Sequence, residues 1–327
     1  MQCICCGNKN FTYINYLNQD FFNSPIFDDK KIEVCDTCGF GSMTENPTAQ
    51  EIEKFYNLEY RKKGSAYFID FENIRGLKNI DPRAFAQIQA GISLVEFKSN
   101  DNYLDLGPGN GNSFAMAMKL LPSPNLYGIE LNSGAKNFYK KTYGVNCFES
   151  IDQIILAGVL FKILLLSHSL EHIRKDDLIE FINQLKNIVA IEGICIIEVP
   201  NDDLRSPEVQ QRLNDSPHLL FFSRESIERL FVKNGFDLIY LQIVGNKRKF
   251  TKNKIVVKEK RGRKKIVRKI LDIKILKYVL RGIKKFLFDR LSKIFEVNPK
   301  GYSNAILNQF IPEDSRDCIR VIIRKKG

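Results

Sequence analysis

The residues able to do chemistry fall in three places. "YLDLGPGNGNS" (103–113) runs a short apolar stretch into glycines at every second position, Gly107, Gly109 and Gly111. With no Cβ in the way, such a loop lets backbone approach a ligand closely. Cys3-x-x-Cys6-Gly7 and Cys35-x-x-Cys38-Gly39 form two paired-thiol knuckles with 28 residues between them. The third group is the chain's three histidines, His168, His172 and His218. Imidazole is the side chain whose ordinary titration suits proton transfer near neutral pH.

The glycine loop joins an apolar run to a helical one, which is the setting of a nucleotide site. Its G-x-G-x-G spacing is not the dinucleotide fingerprint, whose third glycine comes three places after the second; Asn112 stands there instead. Asp105, two residues before the first glycine, would repel a pyrophosphate and attract a ligand bearing an ammonium and a sulfonium. Glu130 in "LYGIELN", 19 residues past Gly111, ends the next strand-like run, where an acid can accept from both ribose hydroxyls. These features point to S-adenosyl-L-methionine (SAM), held by Asp105, Gly107, Gly109, Gly111, Glu130 and the adjoining Leu131.

Two C-x-x-C knuckles predict a tetrahedral Zn2+ bound by Cys3, Cys6, Cys35 and Cys38. Four thiolates leave no open position, so the ion is expected to be structural. Cys5 is an alternative ligand, but only Cys3 with Cys6 mirrors the second knuckle. Cys147, Cys195 and Cys318 sit in apolar runs and are expected in the core. The N-terminus "MQCICCGNKN" has no apolar signal core, which predicts a cytoplasmic, reducing setting in which the eight cysteines are not disulfides.

Elements must position these groups. From 101 onward, strand-like runs ("NYLDLG", "NLYGIEL", "VNCFES", "FKILLLS", "GICIIEVP", "FDLIYLQIV", "DCIRVIIRKK") alternate with helical ones. That alternation predicts an α/β fold with a doubly wound, mainly parallel seven-stranded sheet. The expected organisation is a zinc ribbon (1–45), a helical connector or substrate cap (46–98), a SAM-binding domain (99–245 and 317–327), and a basic amphipathic insertion (246–316). "IILAGVLFKILLLS" (154–167) is too short to cross a membrane and reads as helix end, turn and buried strand. Net charge is +12, yet residues 246–300 hold 21 Lys/Arg against 4 Asp/Glu. Within 266–295, apolar residues recur every three or four places from Ile266 to Ile294. This is the pattern of a helix lying peripherally on an anionic membrane surface, or packing on the domain.

The chain resembles the class I SAM-dependent methyltransferases over about 80–245 and the final strand. "LDLGPGNG" is similar to that family's first motif and "YGIELN" to its second. "LLLSHSLEHI" (164–173) is similar to the segment passing under the methionine end of SAM, which implies contacts from Ser167 and His168. With the zinc knuckles, the chain resembles sugar C-methyltransferases and related enzymes of surface-polysaccharide synthesis. That resemblance implies His218 as the base and His172 as a second active-site histidine, with a sugar, nucleotide-sugar or lipid-linked glycan as acceptor. Pro217 stands where those enzymes often have Glu, and the methylated atom (O, N or C) stays open. Tyr67 and Phe68 are candidates for the acceptor pocket. Two other readings are an RNA methyltransferase using the basic segment as an arm, and a non-catalytic zinc and SAM-binding scaffold. Nucleic acid is disfavoured by the few aromatics in the basic segment and by "SHSL" where a base-amine tetrad would stand.

Overall fold

In the computed structural model the described residues are 2–16, 26–27, 30–60, 68–74, 81–211, 217–244 and 318–326. The insertion 246–316, with its membrane-facing expectation, and Tyr67 lie outside them; Phe68 is 41% exposed. Among the described residues no helix is long and apolar enough to cross a membrane.

The chain begins with three short strands, β1 (Phe11–Asn15), β2 (Lys31–Cys35) and β3 (Gly41–Met43). α1 (Ala49–Lys54) continues into a single π-helical stretch, Phe55–Tyr60, and α2 (Pro82–Ile92) follows. The predicted alternation then unfolds: β4 (Asn102–Leu106), α3 (Asn112–Leu120), β5 (Asn125–Ile129), α4 (Ser133–Tyr143), β6 (Asn146–Phe148), α5 (Ile151–Leu156), β7 (Phe161–Ser167), α6 (Leu178–Ile188) and β8 (Val189–Pro200). After α7 (Pro207–Gln210) come β9 (Leu220–Phe221), α8 (Arg224–Lys233), β10 (Phe236–Val244) and β11 (Cys318–Lys325).

Seven strands form one sheet in the order β10-β11-β8-β7-β4-β5-β6. All pairings from β8 through β6 are parallel, and β11 enters antiparallel between β8 and β10. The strand order reverses between β4 and β7, so the crevice at their carboxyl ends is where a ligand binds in such a sheet. Both faces are covered, which is why β4, β7 and β8 read as near-continuous apolar runs. The period of two still assigns sides. Leu104, Leu164, Leu166, Cys195 and Ile197 join the cluster that includes Ile182 and Leu185 of α6. Ile163, Ile194 and Ile196 meet α2 on the other side, where a Cβ on Gly91 would come within 2.8 Å of Ile196.

A second sheet, β1-β2-β3-β9, takes its last strand from the stretch between β8 and α8. Gly41 pairs with Phe221 and Ser42 with Leu220. The cysteine-bearing N-terminus is therefore sewn to the larger domain, and their buried residues form one continuous cluster. Phe40 packs on Phe222 and Tyr16 edge-on to Phe221.

Candidate active site

The glycine loop leaves β4 and enters α3 with Gly107, Gly109 and Gly111 all at positive φ, +87°, +58° and +77°. This is the region glycine occupies without steric cost. Gly107 needs glycine twice over, because a Cβ there would also lie 2.7 Å from the Ser169 hydroxyl. Gly111 is the N-cap of α3 and has no side chain to cap it, and Asn112 N at the start of the helix donates to Asn110 Oδ1 at 3.2 Å. Asp81 caps α2, accepting from Ala84 N at 2.8 Å, and its other oxygen accepts from Asn112 Nδ2 at 2.9 Å. The start of α2 is thereby fixed against the loop.

Asp105 sits beneath the loop rather than open to it. It is 2% exposed, and the Ser113 hydroxyl in the first turn of α3 donates to Oδ2. Buried Oδ1 accepts no hydrogen bond among the described residues. Burial, with a contribution from Glu130, raises the Asp105 carboxyl to about 7 despite the Ser113 bond. Glu130 is half-buried at the end of β5, with Oε1 accepting from Asn132 N at 3.0 Å; Leu131 beside it is 54% exposed.

The loop after β7 brings the histidines to this edge. Ser167 accepts from buried Gln87 at 2.8 Å, and Ser169 donates to the Leu106 carbonyl at 2.7 Å, so this loop rests on the glycine loop. Between them His168 adopts φ +56°, a strained conformation for a non-glycine residue. Its Nδ1 lies 3.2 Å from Glu171 Oε1 and its Nε2 3.9 Å from Glu198 Oε1. Glu171 is fully buried, and His218 Nε2 is 3.9 Å from the same Oε1. Burial alone would raise the Glu171 carboxyl, but interaction with His168 and the charges of His172 and His218 bring it below the usual carboxylate range.

His172 and His218 face each other with ring centroids 5.1 Å apart. His172 Nδ1 lies 3.2 Å from the Pro217 carbonyl, and Tyr56 and Tyr60 stand edge-on to its ring. Burial pushes His172 down to about 4, so it is neutral at physiological pH. His218 Nδ1 lies 3.6 Å from Asp202 Oδ2. The His218 backbone is fixed from three sides: Tyr16 donates its hydroxyl to the His218 carbonyl at 3.2 Å, Leu219 N reaches the Glu171 carbonyl at 2.9 Å, and β9 just beyond pairs with β3.

Residues 80–241 match a family model described as a methyltransferase domain. The chain carries a methyltransferase domain. No curated protein matched it. Among solved structures, a SAM-dependent methyltransferase from Archaeoglobus fulgidus shares 16% identity, covering 75% of this chain and 93% of its own, with a TM-score of 0.42. A cyclopropane synthase from Mycobacterium tuberculosis shares 12%, covering 86% and 100%, with a TM-score of 0.48. An O-methyltransferase family protein from Burkholderia thailandensis shares 18%, covering 48% and 52%, with a TM-score of 0.38.

Several groups of the methyltransferase's site were not singled out by motif. Glu198 on β8 takes a two-point ion pair from Arg320 on β11, 2.8 Å from Nε and 2.6 Å from Nη2, while Arg83 of α2 approaches to 3.5 Å. Their signal is a charge inside an otherwise apolar strand run, "IIEVP" and "CIRVII". A charge placed there must be paired. Glu171 hides in "SLEHI", and Asp202 follows the end of β8.

The four knuckle sulfurs also converge. Sγ of Cys3 is 3.6 Å from that of Cys38, Sγ of Cys6 is 3.5 Å from that of Cys35, and all four lie within 4.8 Å of one another. A tetrahedron with bonds of about 2.3 Å has edges of about 3.8 Å, so the set fits Zn2+ with a small adjustment. Both knuckles close alike, with Gly7 N on the Cys3 carbonyl and Gly39 N on the Cys35 carbonyl, each at 2.8 Å. Gly39 is at φ +70°, and a Cβ there would meet Asp203 Oδ1 at 2.7 Å. Cys5 is buried outside the quartet, and burial raises its thiol well above the ordinary range.

Asp105 makes a prediction about pH. A ligand ammonium prefers the ionised carboxylate, so SAM affinity is expected to rise about tenfold from pH 6 to pH 8 relative to Asp105→Asn. For the free fold the sign is opposite. A carboxyl raised from about 4 unfolded to about 7 folded adds stability that is full below pH 4 and lost as pH climbs through 7. Calorimetric titration of both proteins at the two pH values checks this, and parallel affinities would refute the carboxylate's role toward SAM.

Proposed function

We propose that this methyltransferase methylates a small polar acceptor, a sugar or surface-polysaccharide precursor in nucleotide-linked or lipid-linked form. The observation that carries the reading is the convergence of His172, His218, Glu171 and Asp202 at the carboxyl end of the sheet. Glu171 and His172 lie on the loop after β7 that touches the glycine loop, Asp202 follows β8, and His218 precedes β9, which pairs with β3 of the cysteine-bearing module. SAM, when bound, supplies an electrophilic methyl group. Gly107, Gly109 and Gly111 would hold it, with Glu130 toward its ribose and Asp105 as the acidic group beneath the loop. The zinc quartet is structural and holds the β3–β9 seam.

The two buried-edge histidines divide the work. With its proton affinity lowered by burial, His172 is a poor base at neutral pH and serves to orient the acceptor. His218, 3.6 Å from Asp202, takes the proton from the acceptor oxygen or carbon. Tyr56 and Tyr60 give this corner aromatic surface beside polar groups, which suits a sugar ring with its apolar face and hydroxyl rim.

The test incubates a nucleotide-sugar pool with the protein and SAM and follows mass by chromatography. A gain of one methylene mass in a nucleotide sugar is the expected result. An unshifted pool with methylated RNA would favour the nucleic-acid reading, and SAM binding without turnover of either would favour the scaffold.

A further inference from the structure

We propose that Glu171, His172 and His218 bind a divalent transition-metal ion, a second metal site separate from the cysteine quartet. One ligand atom from each of the three lies within 4.8 Å of the other two. Each imidazole has its Nδ1 edge turned to an oxygen, His172 to the Pro217 carbonyl at 3.2 Å and His218 to the Asp202 carboxylate at 3.6 Å. A proton on Nδ1 leaves the Nε2 lone pairs for an ion. Such an outer contact is what fixes tautomer and ring orientation in metal-binding histidines.

Glu171 supplies the independent observation. It is 0% exposed, and neither carboxylate oxygen receives a hydrogen bond among the described residues. His168 Nδ1 lies 3.2 Å from Oε1, on the side of one oxygen only. A carboxylate buried without hydrogen bonds is costly unless a cation meets it. Two imidazoles and one carboxylate suit Zn2+, Co2+, Fe2+ or Mn2+, and three protein ligands leave a position for water or an acceptor oxygen. Binding at about 2.0–2.2 Å would draw the three atoms together by on the order of an ångström. The neighbouring trio His168, Glu198 and Cys318 is a weaker candidate, because Arg320 already holds Glu198 by two contacts.

The site shares His218 with the proposed reaction and rests on that reading only for its effect on turnover. With Nε2 on a metal, His218 cannot take a proton, so the ion-free form carries the proposed reaction and the ion-loaded form is inactive.

The experiment titrates Co2+ into full-length protein whose cysteine quartet is filled with zinc. The expected result is one equivalent of cobalt with visible d–d absorption and no thiolate charge-transfer band. Glu171→Gln and His172→Ala should each lose that equivalent while keeping quartet zinc and SAM binding, which shows that they fold. No cobalt uptake by the wild type, uptake marked by a thiolate band, or uptake surviving both substitutions would overturn the site. Initial rates with and without cobalt separate the two readings: a fall accords with a blocked base, whereas a rise would leave the metal site standing and remove His218 as the base.

Discussion

Cys38→Ser is expected to strip zinc from the chain and, with it, the ordered position of His218. Apparent binding free energies of structural zinc are about 10–16 kcal/mol, comparable with the whole stability of an ordinary domain. Cys38 is fully buried, and its carbonyl accepts the Ser223 hydroxyl, whose oxygen in turn caps α8 by accepting from Ser226 N at 3.0 Å. Two residues beyond Gly39, Gly41 pairs with Phe221, and Tyr16 of the same module donates to the His218 carbonyl at 3.2 Å. Loosening the quartet therefore releases the β3–β9 seam at the base. Elemental analysis should find zinc in the wild type and in Cys5→Ser but not in Cys38→Ser, and hydrogen exchange should rise across 217–223 in the last. Zinc retained by Cys38→Ser, or lost from Cys5→Ser, would show the ligand set to be wrong.

The parts of this molecule that were legible in the sequence are those set by local rules. The strand and helix runs follow from period, the glycine loop from its spacing and following helix, and the cysteine quartet from two knuckles that close by the same turn. What was not legible depends on partners distant in sequence. β9 is two residues long, too short for any periodicity, and exists because Gly41 and Ser42 offer it a partner about 180 positions earlier. The sequence places Asp105 as a carboxylate beside the ligand. Its spacing before Gly107 fixed where it lies on β4 but not that Ser113 would be its partner or that it would be wholly buried. Glu198 and Arg320 left a trace, a charge in an apolar run, yet only the β8–β11 register, with Arg320 opposite Glu198, says that they pair.

His218→Ala is expected to lower turnover by about 10²–10⁴-fold, the usual loss on removing a general base, while SAM affinity and the zinc of the cysteine quartet stay unchanged. The separation is built into the site. His218 is held by its backbone, through the Tyr16 hydroxyl and the β9 pairing, so truncating the ring leaves its support intact. The glycine loop and Glu130 belong to β4 and β5, apart from the β9 segment. Tyr16→Phe removes one hydroxyl from a carbonyl, worth about 1 kcal/mol, and should cost no more than several-fold through slight misplacement of the ring. His172→Ala should act more on acceptor KM than on kcat, because a histidine held neutral well below its ordinary range positions better than it deprotonates. The readout is formation of S-adenosylhomocysteine with the nucleotide-sugar pool as acceptor, alongside calorimetric SAM binding for each variant. Near-normal turnover in His218→Ala with the methylated acceptor would return that residue to a packing role and move the search for the base to Asp202 and His168.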